Sequence, residues 1–285
     1  PGVYPAVMSE QDPTRRFTNR VKDYARYRPS YPLAVLECLR DECGLTPDSV
    51  IADIGSGTGI LTEIFLKNNN RVFAVEPNEA MRQAAEVSLA RYPGFISVAG
   101  RAEATTLPAG GVDFVTAGQA FHWFDAAASR IEFDRILRPG GYVALIWNAR
   151  AYEGDPLMAA YERVLGEFGM GYTTVTHRSH DGEMGALFTN GQQFRVFAHT
   201  RRMDFATLWG GFLSASYAPV SGDPIYEPMH TALWDVFETY QHDGQVTFIY
   251  ETYLYFGQLI QGLRSRPNTR SESIGHADGL GDVIQ

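Results

Sequence analysis

Short apolar runs alternate with amphipathic segments through the first half of the chain. The runs are rich in Val, Ile, Ala and Phe, as buried strands are, whereas the segments between them carry apolar residues at helical spacing. Strands that are apolar on both faces predict a parallel sheet with helices on each side. The predicted strands are VIADI (50–54), RVFAVE (71–76), FISVA (95–99), VDFVTA (112–117) and GYVALIW (141–147), and the predicted helices cover 33–43, 58–67, 78–91 and 126–137.

This alternation ends near residue 150. Beyond it the pattern predicts helices near 156–168, 204–213 and 224–242, with a loop rich in Gly, Thr and His over 169–193. Two further strands are predicted, FRVFAHT (194–200) and QVTFIYETYLYF (245–256). The stretch after residue 260 contains few large apolar side chains, which predicts a disordered tail over 261–285.

The composition is that of an ordinary globular protein, and it narrows the range of partners. The 285 residues are 45% hydrophobic, and 24 basic against 33 acidic side chains give a net charge of −9. This acidic balance disfavours nucleic acid or an anionic membrane as the main partner. No apolar run reaches the length of a membrane span and no secretory signal is recognisable, so a cytoplasmic location is expected. Cys38 and Cys43 are predicted to be core thiols of a reducing compartment.

A glycine-rich turn, DIGSGTG (53–59), follows the first predicted strand. Glycine allows a sharp turn and a close approach of the backbone to a ligand. The G-x-G-x-x-G pattern of nicotinamide enzymes is not matched, because Ile60 stands where the third glycine is expected. Asp53 precedes the first glycine, and its negative charge suits a cationic ligand better than a diphosphate. A plain strand-to-helix turn is the alternative interpretation.

Glu76 ends the second predicted strand. A carboxylate at this place can accept hydrogen bonds from both ribose hydroxyls of a nucleoside that lies over the glycine loop. A solvated strand end is the alternative, but the combination with the glycine loop favours ribose binding.

Five motifs in order carry a resemblance to a known family. They are D-x-G-x-G-x-G (53–59), V-E-P-N (75–78), G-R-A-E-x-x-x-L-P (100–108), V-D-F-V (112–115) and L-R-P-G-G (137–141). Together they resemble the class I S-adenosylmethionine-dependent methyltransferases. GQAFHWFD (118–125) and RFTNRVKDYARYRPSYP (16–32) are similar, more narrowly, to small-molecule methyltransferases of type 11 and the trans-aconitate methyltransferase-like group.

The resemblance implies a fold and a division of the chain. The expected fold is α/β, a Rossmann-like seven-stranded sheet that is mostly parallel, with the last strand antiparallel and a helical cap inserted. Residues 1–16 are expected to form a flexible N-terminus, and the ordinary polar start after Met8 predicts that part of 1–7 is foreign to the native protein. The methyltransferase domain is expected over 17–260, with an N-terminal lid (17–32), a cofactor-binding core (33–148), and a substrate cap with the final strands (149–260).

The same resemblance implies a contact for each part of S-adenosylmethionine. The glycine loop would hold the methionine part, Glu76 the ribose, and the residues after each of the next two strands the adenine. Many relatives carry an aspartate where this chain has Arg101, so the hydrogen bond to the adenine amino group would come from Glu103 or from backbone. The implied cofactor-binding residues are Asp53, Gly55, Ser56, Gly57, Glu76, Pro77, Asn78, Met81, Ala102, Glu103, Gln119 and Tyr24.

GQAFHWFD lies just past the fourth predicted strand, at the edge where open α/β sheets bind ligands. In the implied fold this edge faces the transferable methyl group. His122 is the catalytic candidate: it would act as a base, bind the substrate, or orient Trp123, and a satisfied core histidine is the alternative. The residues expected at the acceptor are Tyr27, His122, Trp123, Trp147, Asn148, Trp209 and Tyr217.

The acceptor is expected to be a small molecule that is methylated at oxygen. The D/N-P-P-Y/F motif of enzymes that methylate amino groups on nucleic acids or protein amides is absent at 118–121. No triad of catechol-type metal ligands is recognisable, and His177 with His180 lacks partners in register, so no metal is expected. A non-catalytic protein that binds S-adenosylmethionine or its product is the alternative, and a nicotinamide oxidoreductase is a more distant one. The protein is expected to be a monomer or a homodimer.

Overall fold

The computed structural model describes residues 21, 26–151, 154–169, 187–188, 191–215, 218–219 and 221–259. The segments predicted as a flexible N-terminus (1–16) and a disordered tail (261–285) lie outside the described residues, as does most of the predicted loop 169–193.

Helices and strands alternate through the first half, as the apolar pattern predicts. This half contains α1 (Leu33–Cys43), β1 (Val50–Ile54), α2 (Ile60–Lys67), β2 (Arg71–Val75), α3 (Glu79–Leu89), β3 (Phe95–Val98), β4 (Val112–Gly118), a 3₁₀ turn (Phe121–Trp123) and α4 (Ala126–Ile136). The second half contains β5 (Leu137–Arg150), α5 (Pro156–Phe168), β6 (Gln193–Met203), α6 (Phe205–Leu213), α7 (Tyr226–Tyr240) and β7 (Val246–Gln258).

One sheet of seven strands organises the described residues, in the order β3-β2-β1-β4-β5-β7-β6. The strands from β3 to β5 are parallel to their neighbours, whereas β7 pairs antiparallel with both β5 and β6. This arrangement confirms the predicted sheet, mostly parallel with its last strand reversed. The chain changes direction across the sheet between β1 and β4, which opens a crevice at their carboxyl ends.

Apolar side chains cover both faces of the sheet, which is why the parallel strands are apolar throughout. On one face α1 and α2 pack on β1, β4 and β5 through Leu39, Phe65 and Ile146. On the other face α4 packs through Phe133 and Ile136. Of the two predicted core thiols, Cys38 belongs to the first of these cores and Cys43 packs against it partly buried; both are free thiols.

Strands β5, β6 and β7 are longer than predicted, and their extra length supports the cap. The predicted fifth strand stopped at Trp147 because polar residues follow, but β5 continues to Arg150. Antiparallel pairing holds this extension, since Asn148 lies opposite Thr252 and Arg150 opposite Tyr250. The extended ends of β6 and β7 pack against α5, α6 and α7 in a separate apolar cluster that includes Met158, Leu165, Phe212, Met229, Leu233 and Phe248.

Helix α2 begins two residues later than predicted, at Ile60. Gly59 is its N-terminal boundary and has a φ of 85°, in the left-handed region that glycine adopts without strain. A Cβ at this position would lie 2.5 Å from Leu89 of α3, so the glycine also allows close packing of the two helices. Among the described residues, no helix combines the length and the apolar character needed to cross a membrane.

Candidate active site

The glycine loop between β1 and α2 has two glycines in left-handed conformations besides the one at the start of α2. Gly55 has a φ of 65° and Gly57 a φ of 57°. A Cβ on Gly55 would lie 2.7 Å from the Cβ of Ala120, so this glycine lets the loop rest on the segment after β4. A Cβ on Gly57 would meet no atom nearer than the sulfur of Met81, at 3.8 Å. The missing side chain of Gly57 therefore leaves open space above the loop, whereas the missing side chain of Gly55 allows the loop to pack closely against the segment after β4.

Two hydroxyl groups of the same loop are buried without a partner. Ser56 Oγ and Thr58 Oγ1 are shielded from solvent and bond to nothing in the described part of the protein. A buried polar group that is left unsatisfied costs about 1–3 kcal/mol, and a ligand with polar atoms removes that cost. The loop thus has unmet hydrogen-bonding capacity beside an open space.

Glu76 follows β2 and connects the glycine loop to the start of α3. Its Oε2 accepts a hydrogen bond from the backbone N–H of Gly57 at 2.9 Å, and its Oε1 accepts one from the N–H of Asn78 at 2.8 Å. Burial raises the pKa of Glu76, and the two backbone donors oppose that rise. Each oxygen of an ionised carboxylate can accept a second hydrogen bond. The carboxylate therefore holds the loop and keeps acceptor capacity for hydroxyl donors.

Asp53 lies beneath the loop and is fully buried. Thr62 donates to its Oδ2 at 2.6 Å and Thr116 to its Oδ1 at 3.0 Å. Burial raises the pKa of the Asp53 carboxyl from its ordinary value of 3.8 to about 7, and the nearby Glu76 adds to the rise against the two threonine hydroxyls. In this geometry Asp53 supports the loop from below and presents no surface to a ligand.

The residues expected on the adenine side come together around α3 and the segment after β3. Asn78 caps α3 by accepting from the N–H of Met81 at 3.0 Å, and both side chains are buried, as is Ala102. The carboxylate of Glu103 accepts from the N–H of Asp125 at 2.9 Å. Glu103 thus ties the segment after β3 to the segment after β4. Pro77 lies between Glu76 and the cap residue Asn78 and accepts from Arg82 through its carbonyl at 3.5 Å.

The segment after β4 turns sharply at Gln119, which has a φ of 53° although it is not glycine. Its N–H donates to the carbonyl of Ile146 at 2.9 Å, and its side-chain Nε2 donates to the carbonyl of Asn148 at 3.1 Å. The next residues form the 3₁₀ turn, where the rings of His122 and Trp123 lie 4.8 Å apart. Trp123 is 37% exposed, so this pair lies at the protein surface just after the carboxyl end of β4 and not in the core.

The described part of the predicted lid, residues 26–32, crosses the carboxyl edge of the sheet. The backbone carbonyl of Tyr27 accepts from Arg201 on β6 at 2.6 Å, and the carbonyl of Ser30 accepts from Asn148 at 3.1 Å. Tyr31 packs on Gly118, where a Cβ would lie 2.5 Å from its hydroxyl oxygen. We call residues 26–32 the covering segment.

The structure distributes the residues expected at the acceptor over three environments. Tyr27 belongs to the covering segment, and Asn148 lies beneath it, where it donates to the carbonyl of Ser30. Trp147 is in the core, with its ring edge-to-face against Phe121 and Tyr255. Trp209 is packed in the cap against Tyr226 and His230 of α7. Tyr24 and Tyr217 are outside the described residues.

Three polar residues near the site were not singled out from the sequence. Thr62 and Thr116 hold Asp53, and Thr252 donates to Asn148 Oδ1 at 2.6 Å. Threonine is common in strands and helices, so only the tertiary arrangement identifies these. No group of three or more His, Cys, Asp or Glu side chains suited to a metal occurs in the described ranges, and His177 and His180 lie outside them.

Comparison with known proteins agrees with this geometry. A family model described as "Methyltransferase domain" matches residues 52–145. An uncharacterized methyltransferase of Schizosaccharomyces pombe is 28% identical over 270 residues, which are 86% of this chain and 98% of that protein. An uncharacterized methyltransferase of Mycobacterium tuberculosis is 36% identical over 144 residues, 50% of this chain and 56% of that protein.

Solved structures show the same fold. One from Anaeromyxobacter dehalogenans, assigned as a type II methyltransferase, superposes with a TM-score of 0.63 at 22% identity and covers 81% of this chain and 98% of that one. Fold and site define an α/β enzyme with its ligand crevice at the carboxyl edge of the sheet. The matched methyltransferase domain, these relatives and the shared fold support the class I S-adenosylmethionine-dependent methyltransferase that the motifs predict. The narrower likeness to trans-aconitate methyltransferases stays a prediction.

The raised pKa of Asp53 predicts a pH dependence of stability. Because the folded carboxyl holds its proton up to about pH 7 and the unfolded one only to about pH 4, the free energy of unfolding falls as pH rises between these values, by on the order of 1 kcal/mol per pH unit. In Asp53→Asn the amide at position 53 cannot titrate. The difference in the free energy of unfolding between the parent and this variant should therefore shrink from about pH 5 to about pH 8. Urea unfolding at several pH values measures this, and parallel stability curves for the two proteins would contradict it.

Proposed function

We propose that the chain transfers a methyl group from S-adenosylmethionine to a small molecule, at an oxygen atom of that molecule. The observation that carries the cofactor assignment is the glycine loop: two buried hydroxyls without partners and the carboxylate of Glu76 surround the open space at Gly57. Such a space suits a ligand that is polar at several points along its length and approaches the backbone closely.

The residues present fit S-adenosylmethionine. Glu76 would accept hydrogen bonds from the ribose hydroxyls through the free acceptor positions of its oxygens, and Met81 and Ala102 would contact the adenine. The loop hydroxyls of Ser56 and Thr58 would face the methionine part. When bound, the cofactor supplies an electrophilic methyl group on a sulfonium sulfur.

The chain's own residues would act by placement and by exclusion of water. Methyl transfer forms a bond between the acceptor atom and the methyl carbon while the carbon–sulfur bond breaks, and the acceptor proton passes to a nearby base or to solvent. Holding two reactants in line supplies a large part of the rate, so a fixed set of catalytic groups is not required. The covering segment shields the carboxyl edge, while Gln119 and His122 contribute polar groups beside it.

Two observations support a small acceptor. The covering segment is tied down at Tyr27 and at Ser30 across the carboxyl edge, which favours a compact acceptor over a polymer strand. The polar groups along this edge include two neutral amides, Gln119 and Asn148, and the imidazole of His122, which suit an uncharged oxygen nucleophile. The net charge of −9 disfavours binding of nucleic acid, because its phosphates are also negatively charged.

Gly57→Val should abolish binding of S-adenosylhomocysteine, because a branched side chain fills the open space above the loop. Gly110→Val is the matched control, since Gly110 has a similar φ of 60° and nothing near its Cβ position. The control should lose stability through the same backbone strain but keep the affinity of the parent. Isothermal titration calorimetry, with circular dichroism to verify folding, makes the comparison. Equal loss of affinity in both variants would contradict a ligand above Gly57.

Glu76→Ala should weaken binding of S-adenosylhomocysteine by roughly 1.5–3 kcal/mol, the range for hydrogen bonds to a charged group. Glu86→Ala, which removes an exposed carboxylate from the same region, should bind like the parent. The parent should show no measurable binding of NAD. Calorimetry that detects NAD but not S-adenosylhomocysteine would refute the proposed function, and unchanged affinity in Glu76→Ala would refute the ribose assignment.

His122→Ala should raise the Michaelis constant of the acceptor while the affinity for S-adenosylhomocysteine stays unchanged, because we expect this side chain to bind or orient the acceptor. Acceptors are found by transfer of a tritium-labelled methyl group to a panel of small hydroxyl compounds. A fall in turnover of roughly 10²–10⁴-fold, with loss of a limb in the pH profile, would instead make His122 a general base. Near-normal kinetics with lower thermal stability would reduce it to packing for Trp123.

A further inference from the structure

A polar chain runs beneath the covering segment, across three strands of the sheet. Asn148 on β5 donates to the carbonyl of Ser30 and accepts from the hydroxyl of Thr252 on β7. The same hydroxyl oxygen lies 3.4 Å from Nδ1 of His199 on β6. The chain therefore ends at an imidazole that the mechanism above does not use.

The partners of His199 determine which ring nitrogen carries its proton. The single proton of Thr252 is directed at Asn148, so its oxygen is an acceptor toward Nδ1. The backbone carbonyl of Phe197 also accepts from the ring, and Nε2 has no partner among the described residues, so this contact is with Nδ1 as well. Both acceptors require Nδ1–H, which leaves a lone pair on Nε2.

The Nε2 atom is buried. Burial lowers the pKa of His199 against the opposing effect of the Phe197 carbonyl, which favours the neutral ring. The ring stacks on Tyr250, with ring centroids 5.5 Å apart. An acceptor nitrogen that is buried without a donor is unfavourable unless a ligand supplies one.

The anchors of the covering segment connect His199 to the proposed acceptor site. Arg201, two residues along β6 and thus on the same face as His199, holds the carbonyl of Tyr27. Asn148, at the other end of the polar chain, holds the carbonyl of Ser30. The two anchors of the covering segment therefore flank His199.

We propose that Nε2 of His199 accepts a hydrogen bond from the acceptor molecule, so that the enzyme selects acceptors that carry a hydroxyl or N–H donor over carboxylates. A carboxylate has no proton to donate at neutral pH, and its lone pairs repel that of Nε2. This inference rests on the proposed function, and it assigns His199 a role in binding and orientation, with Thr252 as the residue that sets its tautomer.

Phenol, anisole and benzoate are matched probes, because they share a ring and differ in the donor. The full chain, saturated with S-adenosylhomocysteine and labelled with nitrogen-15 in histidine, is titrated with each and followed by long-range proton–nitrogen spectra. His199→Asn identifies the signal. We expect Nε2 to resonate as an unprotonated nitrogen and to shift with phenol, but neither with anisole nor with benzoate.

Two variants test the contact itself. His199→Asn retains a donor toward Thr252 but lacks an acceptor at the Nε2 position, and should weaken phenol binding roughly three- to tenfold. His199→Gln places an amide oxygen near Nε2 and should restore most of that loss. Thr252→Val removes the acceptor for Nδ1–H and should move part of the proton to Nε2.

The outcomes separate this inference from the proposed function. Failure of S-adenosylhomocysteine to bind in calorimetry would defeat the proposed function. Normal binding of that compound would leave the proposed function standing, and would refute the role of His199 if phenol left its Nε2 signal unmoved. The same conclusion would follow if anisole or benzoate shifted the signal as much as phenol, or if His199→Asn bound phenol like the parent.

Discussion

The two hydrogen bonds of the Glu76 carboxylate hold the candidate site together. One fastens the glycine loop after β1 at Gly57, and the other fastens the start of α3 at Asn78. The loop and the helix come from different βα units, and one side chain sets their separation. Because the carboxylate is buried, its charge depends on these donors, so the position of the loop and the ionisation of Glu76 support each other.

Most of the fold could be predicted from the sequence, since its apolar runs are long enough to be recognised and follow each other in βα order. The strand lengths were less predictable. The end of β5 at Arg150 is determined by antiparallel partners on β7, such as Thr252 opposite Asn148, and these are distant in sequence. The start of α2 shifted because Gly59 takes a left-handed conformation that places it outside the helix.

The candidate site was predictable in its residue types and less so in its contacts. Asp53 was recognisable from its place before the glycines, but one of its two partners, Thr116, is 63 residues away. Trp147 ends an apolar strand, and a strand buried on both faces does not reveal by sequence which face meets a ligand. His199 lies in an ordinary strand pattern, and its meaning depends on Thr252, which is 53 residues further on.

The long pairing of β5 with β7 has a mechanical consequence. From Tyr142 to Arg150 the two strands stay in register without interruption, so the cofactor side of the sheet and the base of the cap share the same backbone. A cap built on continuous strands is not a separate body that swings about a hinge. The covering segment, by contrast, meets the sheet through individual contacts at Tyr27, Ser30 and Tyr31. Opening of this edge therefore requires the release of one short stretch of chain, which is a much smaller motion than the closure of two domains.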